Sequence, residues 1–158
     1  MNAAEGKKII LRKRYFDWVD EREIVNGELM FIRFVSSEID DVSHVSAGIF
    51  GVAFDLMDEQ TVPDHDHAEL SDLIRWFNLH LKGPFEYRLK SPRRARRSIC
   101  WFKSGAHEHL RRAWEMTMIL ERNNVLIRMI KSRKAGYIVY EDEAQILAEP
   151  FADIRRIL

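Results

Sequence analysis

Residues 98–150 constrain the fold more tightly than any other part of the chain. They begin with four consecutive apolar residues, Ile99, Cys100, Trp101 and Phe102. Successive side chains of a strand point to opposite faces of a sheet, so such a run predicts a strand that is buried on both faces. We therefore expect residues 99–102 to form a central strand of a β-sheet.

An amphipathic helix follows this strand in the sequence. Ser104 can supply an N-cap hydroxyl, and Asn123-Asn124 suits the C-terminal end because asparagine tolerates the left-handed conformation. Between them, apolar and small residues recur with the 3.6-residue period of a helix that packs on another element. This stripe consists of Ala106, Leu110, Ala113, Thr117 and Leu120.

Three further strands are predicted after the helix, and polar turns separate them. Pro150 ends the last strand, since proline cannot donate a hydrogen bond to a neighbouring strand. The predicted strands are residues 125–130, 136–140 and 144–148, with a basic turn at 131–135 and an acidic turn at 141–143.

The strand–helix–strand unit determines which groups share an edge of the sheet. Such crossovers are right-handed and return the chain in the same direction, so the first two strands run parallel, either as neighbours or with the third strand between them. Their carboxyl ends, the start of the helix and the basic turn then lie at one edge. We expect the acidic turn 141–143 at the opposite edge, together with residues 93–97.

The shared edge predicts an anion-binding site. Unpaired N–H groups at a helix N-terminus attract anions, nearby lysines add positive charge, and Gly105 lets a ligand approach the backbone. The alternative is a plain exposed loop. The candidate anion-binding residues are Lys103, Ser104, Gly105, Ala106, Lys131, Ser132, Arg133 and Lys134.

The first 35 residues predict a three-stranded antiparallel β-meander. Asn26-Gly27 is typical of a type I′ turn between strands 22–25 and 28–35, and residues 8–18 form a further strand. Residues 36–46 are polar and acidic and predict a loop.

A helical hairpin is predicted next. Ser46 would cap a first helix at residues 47–58, where alternating apolar residues make a strand the alternative; we favour the helix. Val62-Pro63-Asp64 begins the second helix, and Gly83-Pro84 ends it. The predicted apolar faces are Ile49, Phe50, Ala53, Phe54 and Met57 in the first helix and Leu70, Leu73, Ile74, Phe77 and Leu81 in the second.

Together, these elements predict a single α+β domain with a mixed sheet and helices packed on it. The 158 residues are 46% apolar and 32% charged, which is ordinary for a globular protein. No apolar run approaches the ~20 residues of a membrane helix, and the N-terminus lacks the apolar core of a signal peptide. Cys100 is the single cysteine and allows no internal disulfide, so we expect a cytoplasmic protein with no membrane partner.

Charge is unevenly distributed along the chain, although the net charge is zero. Residues 36–75 contain ten acids and one base, a net charge of −9, and residues 82–103 contain eight bases and one acid, a net charge of +7. The asymmetry predicts either an anionic partner, or two segments that neutralise each other within the fold or across a homo-oligomer.

Aromatic residues interleave with the bases of residues 85–103, as they do in single-stranded nucleic-acid sites. A solvated basic loop is the alternative. The candidate nucleic-acid-binding residues are Arg88, Arg93, Arg94, Arg96 and Arg97.

No pattern in the sequence predicts a metal, a cofactor or a catalytic residue. His65 and His67 are spaced i, i+2, as are His107 and His109, and this spacing points two helical side chains about 200° apart. Cys100 lies in the apolar run and is expected to be an inert packing group. The chain has no GxSxG motif, no glycine-rich phosphate loop and no HExxH motif.

Several short motifs resemble an uncharacterised group of small bacterial proteins. They span roughly the last two thirds of the chain, and the resemblance implies a bacterial cytoplasmic protein without implying an activity. The motifs are Gly48-Ile49-Phe50 with Ala53, Trp76-Phe77-Asn78 with His80-Leu81, Ile99-Cys100-Trp101-Phe102-Lys103, and Gly136-Tyr137 with Val139-Tyr140-Glu141-Asp142-Glu143.

We favour a small cytosolic binding protein whose ligand is anionic: a phosphate, a nucleotide or a nucleic acid. The alternative is an interaction module that homo-oligomerises through its charge-split surface. A third possibility is a small hydrolytic enzyme that uses His107 or His109.

If the basic segment binds nucleic acid, its affinity for single-stranded DNA should fall steeply with salt, because binding releases counterions. Reversing Arg93, Arg94, Arg96 and Arg97 to Glu should abolish that binding. A gel-shift assay from low to high salt measures both effects. A wild-type protein that gives no retained band at low salt contradicts the prediction.

Overall fold

The computed structural model describes residues 29–39, 45–82 and 97–153, in which three helices and six strands form an α+β structure. The α+β class is therefore confirmed. The predicted strands 8–18 and 22–25 lie outside the described residues. So do four of the candidate nucleic-acid-binding residues, namely Arg88, Arg93, Arg94 and Arg96.

The first half of the described chain forms two strands and a helical hairpin. Strand β1 continues four residues beyond its predicted end, because it pairs with a short strand at residues 46–48. Ser46 was predicted to end a loop, and the other two residues were predicted to begin the first helix. The helical hairpin is confirmed, including the helix that had a strand as its alternative. The elements are β1 (Phe31–Ile39), β2 (Ser46–Gly48), α1 (Ile49–Asp58) and α2 (Asp64–His80).

The second half follows the predicted order of strand, helix and three strands. Asn124 has a φ of 64° beyond the helix, as the left-handed conformation at that end predicts. The last strand ends just before Pro150, as predicted. The elements are β3 (Ile99–Lys103), α3 (His107–Arg122), β4 (Arg128–Ser132), β5 (Tyr137–Glu141) and β6 (Gln145–Glu149).

All pairs of described strands are antiparallel, whereas a mixed sheet was predicted. Strands β3 and β4 do run in the same direction, as the crossover requires, but β1 lies between them. Phe31 of β1 pairs with Lys103 on one side and with Ser132 on the other. The two carboxyl ends therefore lie at the same edge of the sheet. Two strand spacings, about 10 Å, separate them.

Residues 133–136, which link β4 to β5, force the sheet to curl. Five of the six described strands are ordered β4-β1-β3-β6-β5, and β2 also pairs with β1. A flat sheet in this order would place β4 and β5 about 19 Å apart. The five Cα steps from Ser132 to Tyr137 span at most ~18 Å, and Tyr137 lies towards the opposite end of the strands. The link can connect the two strands only if the sheet curls towards the face that it crosses.

Gly136 permits this crossing. Its φ is +129°, and a Cβ atom at this position would lie 1.9 Å from the backbone oxygen of Glu149. Ala135 is buried in the cluster beneath the link, with Trp101 and Ile146. The link therefore passes directly over one face of the sheet.

The two faces of the sheet carry different clusters of buried residues. Phe34 and Phe102 point to the helical side, where they share a cluster with Leu110 and Ala113 of α3. Trp101, from the adjacent position on β3, belongs to the cluster on the other face. The central strand is thus covered on both sides, as its apolar run predicts, and the predicted α3 stripe is buried along its whole length.

Three local predictions are wrong. Phe54 was assigned to the buried face of α1, but it is 51% exposed, and Val52 and Leu56 are buried instead. Ser46 pairs within the sheet and does not cap α1. Ser104 does not cap α3: its N–H donates to the Met30 oxygen at 2.9 Å, which prolongs the β1–β3 pairing by one residue.

Asp66, in the first turn of α2, joins the two long helices. The carboxylate is buried and accepts hydrogen bonds from Arg122 and from the Asn123 side chain, the latter at 2.8 Å. Burial alone would raise the pKa of Asp66, but these hydrogen bonds and the Arg122 charge outweigh it and hold the pKa below its usual value.

We expect Leu110→Ala to lower the free energy of unfolding by ~2–5 kcal/mol, because it removes a buried side chain from the α3 stripe. The matched control is Leu79→Ala, also a helical leucine, which is 76% exposed and should cost under ~0.5 kcal/mol. Urea unfolding measures both changes. Similar losses for the two variants would show that the stripe does not face the core.

We expect Asp66→Asn to cost on the order of 1–3 kcal/mol at neutral pH, because it weakens charge-assisted hydrogen bonds. The folded-state pKa of Asp66 is lowered. Its stabilisation is therefore complete above the unfolded-state value of about 3.9 and is lost as the pH falls through the folded-state pKa. The difference between wild type and variant should shrink in urea titrations below about pH 4.

The matched control for this prediction is Asp72→Asn, on the same helix, where the carboxylate is 73% exposed and pairs with Arg75. An exposed pair contributes little, so this variant should lose under ~0.5 kcal/mol. An equal loss for Asp66→Asn and Asp72→Asn would contradict the role of Asp66 as a buried connection.

Candidate functional site

An open cleft of about 630 Å³ lies where α3 begins. One side is the first turn of α3, and another is the end of α2. The turn between β5 and β6 forms the remaining side. The lining residues are His80, Gly105, Ala106, His107, Glu108, His109, Asp142, Glu143 and Ala144.

The acidic turn lies beside the start of α3, so the prediction that placed it at the opposite edge is wrong. The prediction treats the link after β4 as a reversal of the chain. The link instead crosses the sheet, so β5 runs in the same direction as β4 and ends at the α3 edge. The Lys103 N–H donates to the Ala144 oxygen at 2.8 Å and joins the turn to the end of β3.

Asp142 is occupied by hydrogen bonds that hold this turn together. One carboxylate oxygen accepts the N–H groups of Ala144 and Gln145, both at 2.9 Å. The other accepts from the Tyr140 hydroxyl at 3.0 Å and from the Gln145 side chain at 3.2 Å. Burial would raise the pKa of Asp142, but these hydrogen bonds together hold it below its usual value. Asp142 is thus a structural carboxylate.

Gln145 connects the acidic turn to the end of α2. Its side chain is buried, donates to the Lys82 oxygen at 3.2 Å and accepts from the Cys100 thiol at 3.1 Å. One buried side chain therefore fixes the separation between the end of α2 and the β5–β6 turn, which are two sides of the cleft.

Glu108 is also neutralised within the protein. It accepts hydrogen bonds from Arg111 at 2.6 Å and from Arg112 at 3.0 Å, and the bond from Arg111 contributes most to holding its pKa below the usual value. Glu143 is exposed and makes no hydrogen bond or ion pair with the described residues. Glu143 is therefore the uncommitted carboxylate of the cleft.

His80 and His109 are held in defined orientations. A carbonyl oxygen can only accept, so His80 donates from Nδ1 to the Trp76 oxygen at 2.7 Å, and His109 donates from Nε2 to the His80 oxygen at 3.1 Å. The opposite ring nitrogen of each histidine accepts when the ring is neutral and donates when the ring is charged. Each histidine can therefore offer a ligand either a lone pair or a charged N–H group.

Trp76 supports the imidazole of His80. The two rings stack with centroids 4.1 Å apart and planes at 10°, and the Arg112 guanidinium carbon lies 4.3 Å from the Trp76 ring centroid. The His109 ring meets Trp76 edge-on at 4.9 Å. The indole is therefore held by both long helices, and His80 is exposed above it.

Trp76, His80 and Glu143 were named from the sequence only within short motifs and were given no role in a site, and Arg112 was not named. Trp76 and His80 are spaced i, i+4, which places them on the same side of α2, and Glu108 and Arg112 have the same spacing on α3. This periodicity was the available signal for the two local pairs. Periodicity carries no information on the contact between Trp76 of α2 and Arg112 of α3.

Of the eight candidate anion-binding residues, Gly105 and Ala106 line the cleft. The Ala106 N–H already donates to the Lys103 oxygen at 3.0 Å, and the Lys103 ammonium pairs with Glu141 at 2.6 Å. Ser104 extends the sheet. Lys131 and Ser132 belong to β4 and not to the predicted basic turn. The side chains of Lys131, Arg133 and Lys134 lie at the same edge as the start of α3 and do not line the cleft, and Ser132 accepts a hydrogen bond from the Lys134 N–H at 3.1 Å.

Cys100 has the properties of a packing group. Loss of solvation raises the pKa of its thiol to about 12, far above the range in which a thiolate nucleophile forms at neutral pH. The described part of the chain contains no group of three or more histidine, cysteine and acidic residues that could hold a metal ion.

Part of the positive charge near β3 is neutralised by the C-terminal hairpin. Arg97 pairs with Glu149 at 3.7 Å at one end of the strand, and Lys103 pairs with Glu141 at the other. These partners belong to β5 and β6 and not to the acidic segment 36–75. Asp66 of that segment pairs with Arg122 instead.

In the described ranges, no helix has the length and apolar character needed to cross a membrane. Comparisons with protein-family models, with curated proteins and with solved structures each gave no match. The resemblance to the small bacterial proteins stays a prediction.

Proposed function

We propose that this protein binds a small ligand through an anionic group, such as a phosphate or a carboxylate, in the cleft at the start of α3. The observation that carries the proposal is the convergence of His80, His107 and His109, from two different helices, on one cleft. A volume of about 630 Å³ is within the range of small-molecule sites.

The positive end of the α3 dipole supports binding of an anion at this position. The first N–H groups of a helix carry a partial positive charge, which adds to that of a protonated histidine. The ring nitrogens of His80 and His109 that are not bonded within the protein can donate to an anion when the imidazole is protonated.

Most carboxylates of the cleft are bonded within the protein, so their negative charges repel a bound anion only weakly. Glu108 is matched by Arg111 and Arg112, and Asp142 is enclosed by hydrogen bonds from its own turn. The charge of Glu143 is not balanced in this way and would repel a bound anion. Removing that charge therefore tests whether the ligand is an anion.

Self-association is the second candidate, and it is favoured by the exposed side of the C-terminal hairpin. Among the described strands, β5 lies at an edge of the sheet. Its residues Tyr137 and Ile138 are 51% and 50% exposed. Exposed apolar residues on an edge strand are suited to pairing with another chain. A monomer at all concentrations in analytical ultracentrifugation would exclude this candidate.

We expect inorganic phosphate to bind with a Kd in the millimolar range, about 4 kcal/mol, and to shift the amide resonances of Gly105, His107 and His109. Amides of Ser132 and Lys134 should shift less. A ¹H–¹⁵N NMR titration measures these shifts. Equal shifts in both groups of residues would indicate an unspecific effect of ionic strength.

The charge of the ligand is tested by Glu143→Gln, which should strengthen phosphate binding about threefold or more, because it removes a repulsion on the order of 1 kcal/mol. The matched control is Glu121→Gln, which removes an exposed carboxylate at the far end of α3 and should leave the affinity unchanged. Weaker binding by Glu143→Gln would mean that the cleft prefers a cationic group.

A further inference from the structure

We propose that the ligand of this cleft also carries a planar heteroaromatic ring, which stacks on the exposed face of His80, so that the ligand belongs to the nucleotide class. This inference rests on the proposed function and adds a second group to the ligand. The added group depends on the stacked rings of Trp76 and His80 on α2, whereas the start of α3 holds the anionic group.

The imidazole of His80 is a fixed flat surface. One face lies on Trp76, with centroids 4.1 Å apart and planes at 10°, and Nδ1 donates to the Trp76 oxygen at 2.7 Å. The hydrogen bond fixes rotation of the ring, and the indole fixes its tilt. A ring that is already immobile loses little conformational entropy when a ligand stacks on it.

His80 is nevertheless exposed and lines the cleft. Among the described residues, Trp76 is the one ring that stacks on it, so a planar ligand can extend the stack on the solvent side. Heteroaromatic bases are suited to this position because they stack on aromatic and imidazole rings irrespective of their hydrogen-bonding edges.

The stacking surface and the start of α3 are close enough for one small ligand to reach both. His109, in the first turn of α3, donates to the backbone oxygen of His80 itself, at 3.1 Å. Gly105, His107 and Glu108 line the same cleft. A base on His80 would thus leave an attached phosphate beside the start of α3.

The test is a comparison of adenosine 5′-monophosphate, adenosine and inorganic phosphate as separate ligands of the full chain. We expect the monophosphate to bind about fivefold or more tightly than phosphate, since stacking of one base contributes on the order of 1–3 kcal/mol. In ¹H NMR, the His80 imidazole C–H resonances should move upfield with the two ligands that have a base and remain in place with phosphate.

His80→Ala should reduce the affinity for the monophosphate to no more than that for phosphate, whereas His80→Phe, which keeps a ring, should retain most of the gain. The matched control His67→Ala removes an exposed histidine at the other end of α2 and should change neither affinity. Circular dichroism checks that each variant is folded. If His80→Ala is unfolded, the wild-type His80 resonances and the affinity of His80→Phe decide whether a base stacks on His80.

The outcomes separate the two proposals. Equal affinities for phosphate and the monophosphate, or unmoved His80 resonances, would overturn stacking and leave the anion-binding function intact. Binding of adenosine without binding of phosphate would support stacking and contradict the anionic ligand. Binding of none of the three would contradict both.

Discussion

The short link between β4 and β5 is the constraint on which the rest of the structure depends. Four residues join strands that lie at opposite ends of the described sheet, so the sheet has to curl until the link can span the gap. Gly136 makes the crossing possible, because any side chain there would overlap the backbone of Glu149. The curl in turn encloses Trp101 and Ile146 on the face opposite the helices.

The direction of β5 decides what surrounds the start of α3. Because the link crosses the sheet without reversing the chain, the β5–β6 turn arrives beside Gly105, and the cleft acquires Asp142 and Glu143 as one of its sides. The same arrangement gives Lys103 a partner in Glu141. The charge of the cleft is therefore a consequence of the path of the backbone, and histidines with a single uncommitted carboxylate occupy the position where lysines were expected.

Local pattern was sufficient to predict most elements and little of their arrangement. Periodicity and the chemistry of proline act over a few residues. They were enough to predict the buried stripe of α3, the central position of β3 and the end of strand β6 before Pro150. The insertion of β1 between β3 and β4 and the burial of Asp66 depend on contacts between residues more than 50 positions apart, on which periodicity carries no information. For the same reason the residues that meet Gly105 in the cleft, from α2 and from the β5–β6 turn, were not foreseen.

The two long helices are connected at both of their ends, and this has a mechanical consequence. Asp66 near the start of α2 binds the end of α3, and His109 near the start of α3 binds the last carbonyl of α2. Fourteen residue steps of α2 separate Asp66 from His80, a rigid length of about 20 Å. If the helices slide or separate at one end, the contact at the other end is strained as well. Occupation of the cleft should therefore slow hydrogen exchange of the amides around Arg122, far from any atom that the ligand touches.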